Sequence, residues 1–125
     1  MAFFRTAVLV GVLVCLVAVP VVPATEVVLS RQGVASFYAN SLHGRKTASG
    51  EPYNKHDFTA AHRRLRFGTR VRVTNLLNQQ TVDVTINDRG PFVKNREIDL
   101  SYAAARELGL VKRGVAPVRI DVLKN

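Results

Sequence analysis

Three stretches of the chain alternate apolar and polar residues with a period of two. Val71 and Val73 alternate with Arg70, Arg72 and Thr74. Val82, Val84 and Ile86 alternate with Thr81, Asp83 and Thr85, and Val118, Ile120 and Val122 alternate with Arg119 and Asp121. Successive side chains of a strand point to opposite faces, so each run predicts a half-buried strand with one face on the core. Asn75–Gln80, between the first two, is short and polar-ended and predicts a hairpin connection. Gly33–Ala39 predicts a further strand, because Val34, Phe37 and Tyr38 suit a pleated, half-buried surface. One helix is expected: Asp99 or Ser101 can cap it, Tyr102–Leu108 fills it and Gly109 ends it. Phe58–His62 predicts a short second turn. His43–Lys55 has the Gly, Ser, Pro and Asn content of a long loop. So few strands need their edges removed, which predicts a mostly β chain closed into a small barrel.

The N-terminus reads differently. Arg5 precedes an apolar run, Ala7–Val19, and Val22-Pro23-Ala24 places small or apolar residues where a signal peptidase needs them. This pattern predicts a secretory signal peptide over residues 1–24, removed before Thr25. An uncleaved anchor is the alternative, since Ala7–Ala24 is uncharged and just reaches spanning length. The single cysteine, Cys15, follows Val12 and Val14 where a lipid-attachment site needs Leu and Gly or Ala, so no lipid anchor is expected. Cleavage leaves 125 − 24 = 101 residues, room for one domain with one core and no disulfide.

Charge narrows the partners. The chain carries 18 Lys and Arg against 9 Asp and Glu; without Arg5 the mature part has 17 − 9 = +8. Such an excess speaks about partners and not about fold. Nucleic acid, anionic lipid and a carboxylate-bearing polymer all fit the charge. Export argues against nucleic acid, and a bacterial cell wall is the anionic polymer an exported protein meets first.

Several blocks then stand in order: "GVASFYA" (Gly33–Ala39), "GRKTASGEPYN" (Gly44–Asn54), "TAAHRRLRFGTRVRVTN" (Thr59–Asn75), "VTINDRGPF" (Val84–Phe92), "REIDLSYAAARELG" (Arg96–Gly109) and "VRIDVL" (Val118–Leu123). Together they closely resemble the rare lipoprotein A family of septal-ring-associated lytic transglycosylases. The resemblance implies a six-stranded double-psi β-barrel with one or two short helices over residues 25–125. It implies cleavage of the β-1,4 bond after N-acetylmuramic acid in glycan strands, those lacking stem peptides, to leave 1,6-anhydro ends. Family members are typically lipoproteins and often carry a C-terminal SPOR domain; this chain is read as having neither. "LRFGT" at Leu65–Thr69 differs from the family's "LPFGT" by Arg66, read as a change in loop rigidity. More distantly the barrel is similar to that of expansins, which leaves a non-catalytic wall-binding or wall-loosening module as the alternative function.

The chemistry needs one carboxyl group that first protonates the leaving oxygen and then, as carboxylate, accepts a proton from the sugar's own C6 hydroxyl. Most glycosidases use two carboxylates instead. An ordinary Asp has a pKa of about 3.9, which burial raises and a nearby Arg lowers. In the family pattern the Asp of "NDRGPF" is the acid/base, and Asp88 matches it. On residue type alone, Asn87-Asp88-Arg89-Gly90-Pro91 reads equally as turn chemistry. His62 and Glu51 match two further polar positions of the family's groove, one to orient or protonate Asp88 and one to hold substrate or tune the field. A structural histidine and a solvated loop carboxylate are the other readings. Asp99 resembles in its place the Asp of an "FDLS" stretch in expansin-like barrels, which corresponds to an acid in related glucanases, and it is also a candidate helix cap. Tyr38 and Tyr53 can stack on sugar rings, and Ser36, Thr47, Ser49 and Asn87 can bond to hydroxyls. His43, His56 and Asp57 form no recognised ligand spacing, so no metal is expected. With no cofactor loop or nucleophile motif, no cofactor is expected either. The protein is read as a monomer.

Overall fold

The computed structural model describes residues 10–16 and 26–124. Among them are six strands: β1 (Val27–Phe37), β2 (Thr59–His62), β3 (Arg70–Asn75), β4 (Thr81–Asp88), β5 (Arg96–Leu100) and β6 (Ala116–Leu123). They close into a barrel in the order β1-β5-β2-β4-β3-β6. The pairs β1/β5 and β2/β4 are parallel, and the other four are antiparallel. Expected cleavage after Ala24 lies outside the described residues. Cys15 is exposed and unpaired. No helix of the described residues is long and apolar enough to cross a membrane.

The apolar positions of the alternating runs lie where their period puts them, while Thr74 and Asp121 of the polar faces are buried as well. Val71, Val73, Val84, Ile86, Val118 and Ile120 are buried, while Arg70, Thr81 and Arg119 face out. Burying each such side chain contributes roughly 1.5–3 kcal/mol, so the barrel interior is its own source of stability. The β3–β4 hairpin turns through Asn75–Gln80. Its Asn75 and Asn78 side-chain amides both donate to the carbonyl of Leu108, satisfying a group that the end of a helix leaves unpaired.

That helix, α1 (Tyr102–Glu107), is capped by Ser101, whose hydroxyl accepts from the Ala104 amide. Gly109 follows with φ +71°, and a Cβ there would sit 2.8 Å from Asn78 Nδ2. Both the left-handed backbone and the packed hairpin therefore require glycine.

Several local expectations change, the first being that the strand expected at Gly33–Ala39 runs Val27–Phe37 and ends before Tyr38. Thr59–His62 is strand β2 and not a helical turn, because Ala60, Ala61 and His62 are buried between β4 and β5. Tertiary pairing overrides the helix-favouring alanines. The second helical element is a single 3₁₀ turn at Asn40–Leu42. Asp99 is not a cap: it belongs to β5, where Glu97 and Asp99 alternate with buried Ile98 and Leu100.

Candidate active site

A groove of about 450 Å³ opens over the ends of β1, β2, β4 and β5. Three strands set its floor. Ala61 of β2 is the register partner of Asp88 on β4 and of Asp99 on β5. The two carboxylates therefore flank a small residue, with one strand between their own. Asp88, Asp99, Tyr38, Thr47 and Tyr53 all line this groove.

Asp88 ends β4 and is half-buried. Its Oδ1 accepts from the Ala48 amide at 2.8 Å and from the Arg89 amide at 2.9 Å. Its Oδ2 accepts from the Tyr38 hydroxyl. Every donor comes from a different place in the chain, so the carboxylate is held from both sides. The loop is brought there by Thr47, whose hydroxyl donates to the Glu51 carbonyl at 2.7 Å, and by Ser49, whose amide donates to the Asn87 carbonyl at 3.3 Å. Arg89 turns away. Its guanidinium donates to the carbonyls of His62 and Leu65 and lies 3.9 Å from the Phe67 ring centre.

Tyr38 is half-buried, and its ring packs on Tyr53 at 4.5 Å between centres. Burial pushes the Tyr38 hydroxyl pKa far up, and the hydrogen bond to Asp88 and the nearby carboxylate charges push the same way. The phenol stays protonated and a donor. Asp99 is also raised by burial, although two hydrogen bonds from Arg96, at 2.8 and 3.0 Å, oppose the shift and the charge of Asp88 adds to it.

Other expected site residues lie elsewhere. His62 is 2 % exposed and does not line the groove. Its Nδ1 accepts from the amides of Arg64 and Leu65, both at 3.1 Å, and its Nε2 donates to Glu97 Oε1 at 2.8 Å. With both ring nitrogens occupied it neither orients nor protonates Asp88 directly. Asn87 is buried and is not among the residues that line the groove; its backbone carbonyl accepts from the Ser49 amide. Glu51 is exposed on the loop, outside the groove wall, as is half-buried Ser49. The Tyr53 hydroxyl is taken up by the Tyr102 amide at 3.1 Å, leaving Tyr53 as support for Tyr38.

Glu97 is the residue the sequence reasoning missed. It bonds to His62, Arg31 and Arg63, and a Cβ on Gly33 would lie 2.5 Å from its Cβ. The Glu97–Ile98–Asp99–Leu100 alternation was the available signal. Arg63 in turn donates to the carbonyls of Pro91 and Arg96. Glu97, His62, Arg63 and Arg89 thus clamp the 62–65 segment to the chain that follows Asp88.

The matching family model, described as "Lytic transglycolase", covers residues 30–120 and includes every one of these groups. The chain belongs to the lytic transglycolase family. Among curated relatives, the probable endolytic peptidoglycan transglycosylase RlpA of Nostoc sp. is 59% identical over 102 residues, 80% of this chain and 28% of that protein. The endolytic peptidoglycan transglycosylase RlpA of Pasteurella multocida is 57% identical over 95 residues, 76% of this chain and 32% of that protein. The chain spans about a third of the length of these curated relatives. Of solved structures, a Streptomyces papain inhibitor superposes with a TM-score of 0.64 at 22% identity, covering 81% of this chain and all of that one. An expansin of Clavibacter michiganensis gives 0.61 at 22% identity, over 78% of this chain and 52% of that one. The barrel is a double-psi β-barrel, with six strands in a ring and one α-helix among the described residues.

Proposed function

We propose that this chain is an exported lytic transglycosylase of the cell envelope, cleaving the β-1,4 bond after N-acetylmuramic acid in peptidoglycan strands, with Asp88 as the acid/base. The observation that carries the reading is the Asp88 carboxylate, held in the groove by Tyr38 and two backbone amides. A pure turn residue needs no donor reaching in from forty residues away.

Protonated Asp88 gives its proton to the glycosidic oxygen as the C1–O bond breaks. The C6 hydroxyl of the same sugar then bonds to C1, and its proton passes to the Asp88 carboxylate. The anhydro ring closes, no water is consumed and the acid is regenerated. Oδ1 faces two N–H donors that cannot accept, so the exchanged proton belongs on Oδ2. There Tyr38 suits both states: it donates to the carboxylate, and its oxygen can accept from the acid. Thr47 and Asp99 line the groove beside it as binding groups. His62 acts through the segment it holds, and the Glu51 carbonyl accepts from the Thr47 hydroxyl within the loop that reaches Asp88.

Asp88→Asn tests this, since it keeps size and turn character but removes the exchangeable proton. Release of anhydro-ended fragments, measured by mass spectrometry of digested strands, should fall about 10²- to 10⁴-fold. Near wild-type release from a folded variant would return Asp88 to the turn reading. Strand binding with no fragments from the wild type is what an expansin-like module would give.

A further inference from the structure

Six charged residues line the groove: Arg45, Lys46, Arg89 and Arg96 against Asp88 and Asp99, or 4 − 2 = +2. Two of the cations are already committed. Arg89 donates to the carbonyls of His62 and Leu65, and Arg96 is paired with Asp99. Arg45 and Lys46 have no ion-pair partner among the described residues, Glu51 of their own loop included. They directly precede Thr47-Ala48, and the Ala48 amide is one of the two that hold Asp88 Oδ1. The uncompensated charge therefore stands on exposed residues of the groove wall, on the loop that reaches Asp88.

We propose that Arg45 and Lys46 form a carboxylate-binding subsite that reads the lactyl carboxylate of the muramyl residue being cleaved. The inference rests on the transglycosylase reading above and adds the group recognised and the residues that recognise it. A muramyl residue carries its carboxylate on the same ring whose C1 reacts, so a reader placed next to the acid meets it. Attaching a stem peptide turns that carboxylate into a neutral amide and moves the negative charges several bonds away. The two cations thus favour strands without stem peptides through charge, independently of the peptide's bulk.

The test uses three preparations of the same glycan strands: peptide-bearing, peptide-stripped, and peptide-stripped with the lactyl carboxylate coupled to methylamine. The methylamide removes the charge and adds almost no bulk. For the wild-type chain, methylamidation should raise KM about three- to thirtyfold at low salt, as expected for two partly exposed charge contacts, and the gap should narrow as salt rises. The Arg45→Gln/Lys46→Gln double variant should treat stripped and methylamidated strands alike. Equal KM values for the two strands with the wild type, or a gap that persists in the double variant, would overturn the subsite. So would tighter handling of peptide-bearing strands through the same two residues, which would place the carboxylate on the peptide. If the wild type releases no anhydro ends from any strand, the transglycosylase reading fails. Calorimetric binding of the stripped and methylamidated strands then still decides the subsite, by whether the double variant loses a preference that the wild type shows.

Discussion

Tyr38 serves two neighbours at once. Its ring packs on buried Tyr53, while its hydroxyl meets Asp88 at the groove. Removing the hydroxyl leaves the packing intact and takes one of the three donors from the acid. A hydrogen bond to a charged group contributes about 1.5–3 kcal/mol, so Tyr38→Phe should slow anhydro-fragment release about tenfold to a hundredfold with little loss of thermal stability. Steady-state rates beside a melting curve check this. An unchanged rate would reduce Tyr38 to a structural support. The two carboxylates are held differently: Asp88 by the Tyr38 hydroxyl and two backbone amides, Asp99 by the Arg96 guanidinium.

Strand β5 and the segment after β2 decide where these residues stand. Ile98 is fully buried between two partners, parallel β1 on one side and β2 through β5's antiparallel edge on the other. Ile98→Ala leaves a cavity that both strands border, and should cost about 2–5 kcal/mol in urea unfolding. A loss below about 1 kcal/mol would mean the barrel collapses to fill the space. The clamp beyond β2 carries a pH signature. Burial lowers the pKa of His62 below its ordinary 6.5, with the Glu97 hydrogen bond and charge pulling upward and the Arg31 and Arg63 charges pushing down again. A proton on Nδ1 would also displace the Arg64 and Leu65 amides. The unfolded chain takes up that proton more readily than the folded one. The contribution is therefore fully present above the unfolded value and is lost as pH falls from there toward the lower folded value. Urea midpoints should drop as pH falls below about 6.5, and His62→Gln should flatten that part of the profile. A wild-type profile already flat there would show that the ring protonates as freely folded as unfolded.

Taken whole, the chain has a net charge of +9, and a surface so biased attracts an anionic polymer before any groove contact forms. Exposed charges are screened within about 10 Å at 0.1 M salt. Binding to purified wall sacculi should therefore weaken steadily as salt rises, measured by co-sedimentation. Binding indifferent to salt would assign attachment to the groove's hydrogen bonds and apolar contacts alone. Barrel closure supplies the rigid side of this arrangement. Every one of the six strands has two neighbours, so no edge is left to pair with another chain.

Much of this was readable from residue order. Period-two alternation marked β3, β4 and β6, since burial on one face imposes that period wherever the strand lies. The hairpin, the helix and its glycine stop came from short-range turn and capping chemistry, and the ordered motifs singled out Asp88. What the chain alone left open depends on neighbours far away in sequence. Ala60 and Ala61 become strand because β4 and β5 flank them, against their own helix preference. Asp99 leaves the cap position to Ser101 because β5 pairing carries it to the groove. His62 faces Glu97 and not Asp88, through contacts 35 residues apart. Arg45 and Lys46 matter because a loop folds back until an amide reaches Asp88. Local pattern determines which face of an element is buried; only closure of the barrel decides which side chains meet, because each meeting joins strands whose order in space is not their order in the chain.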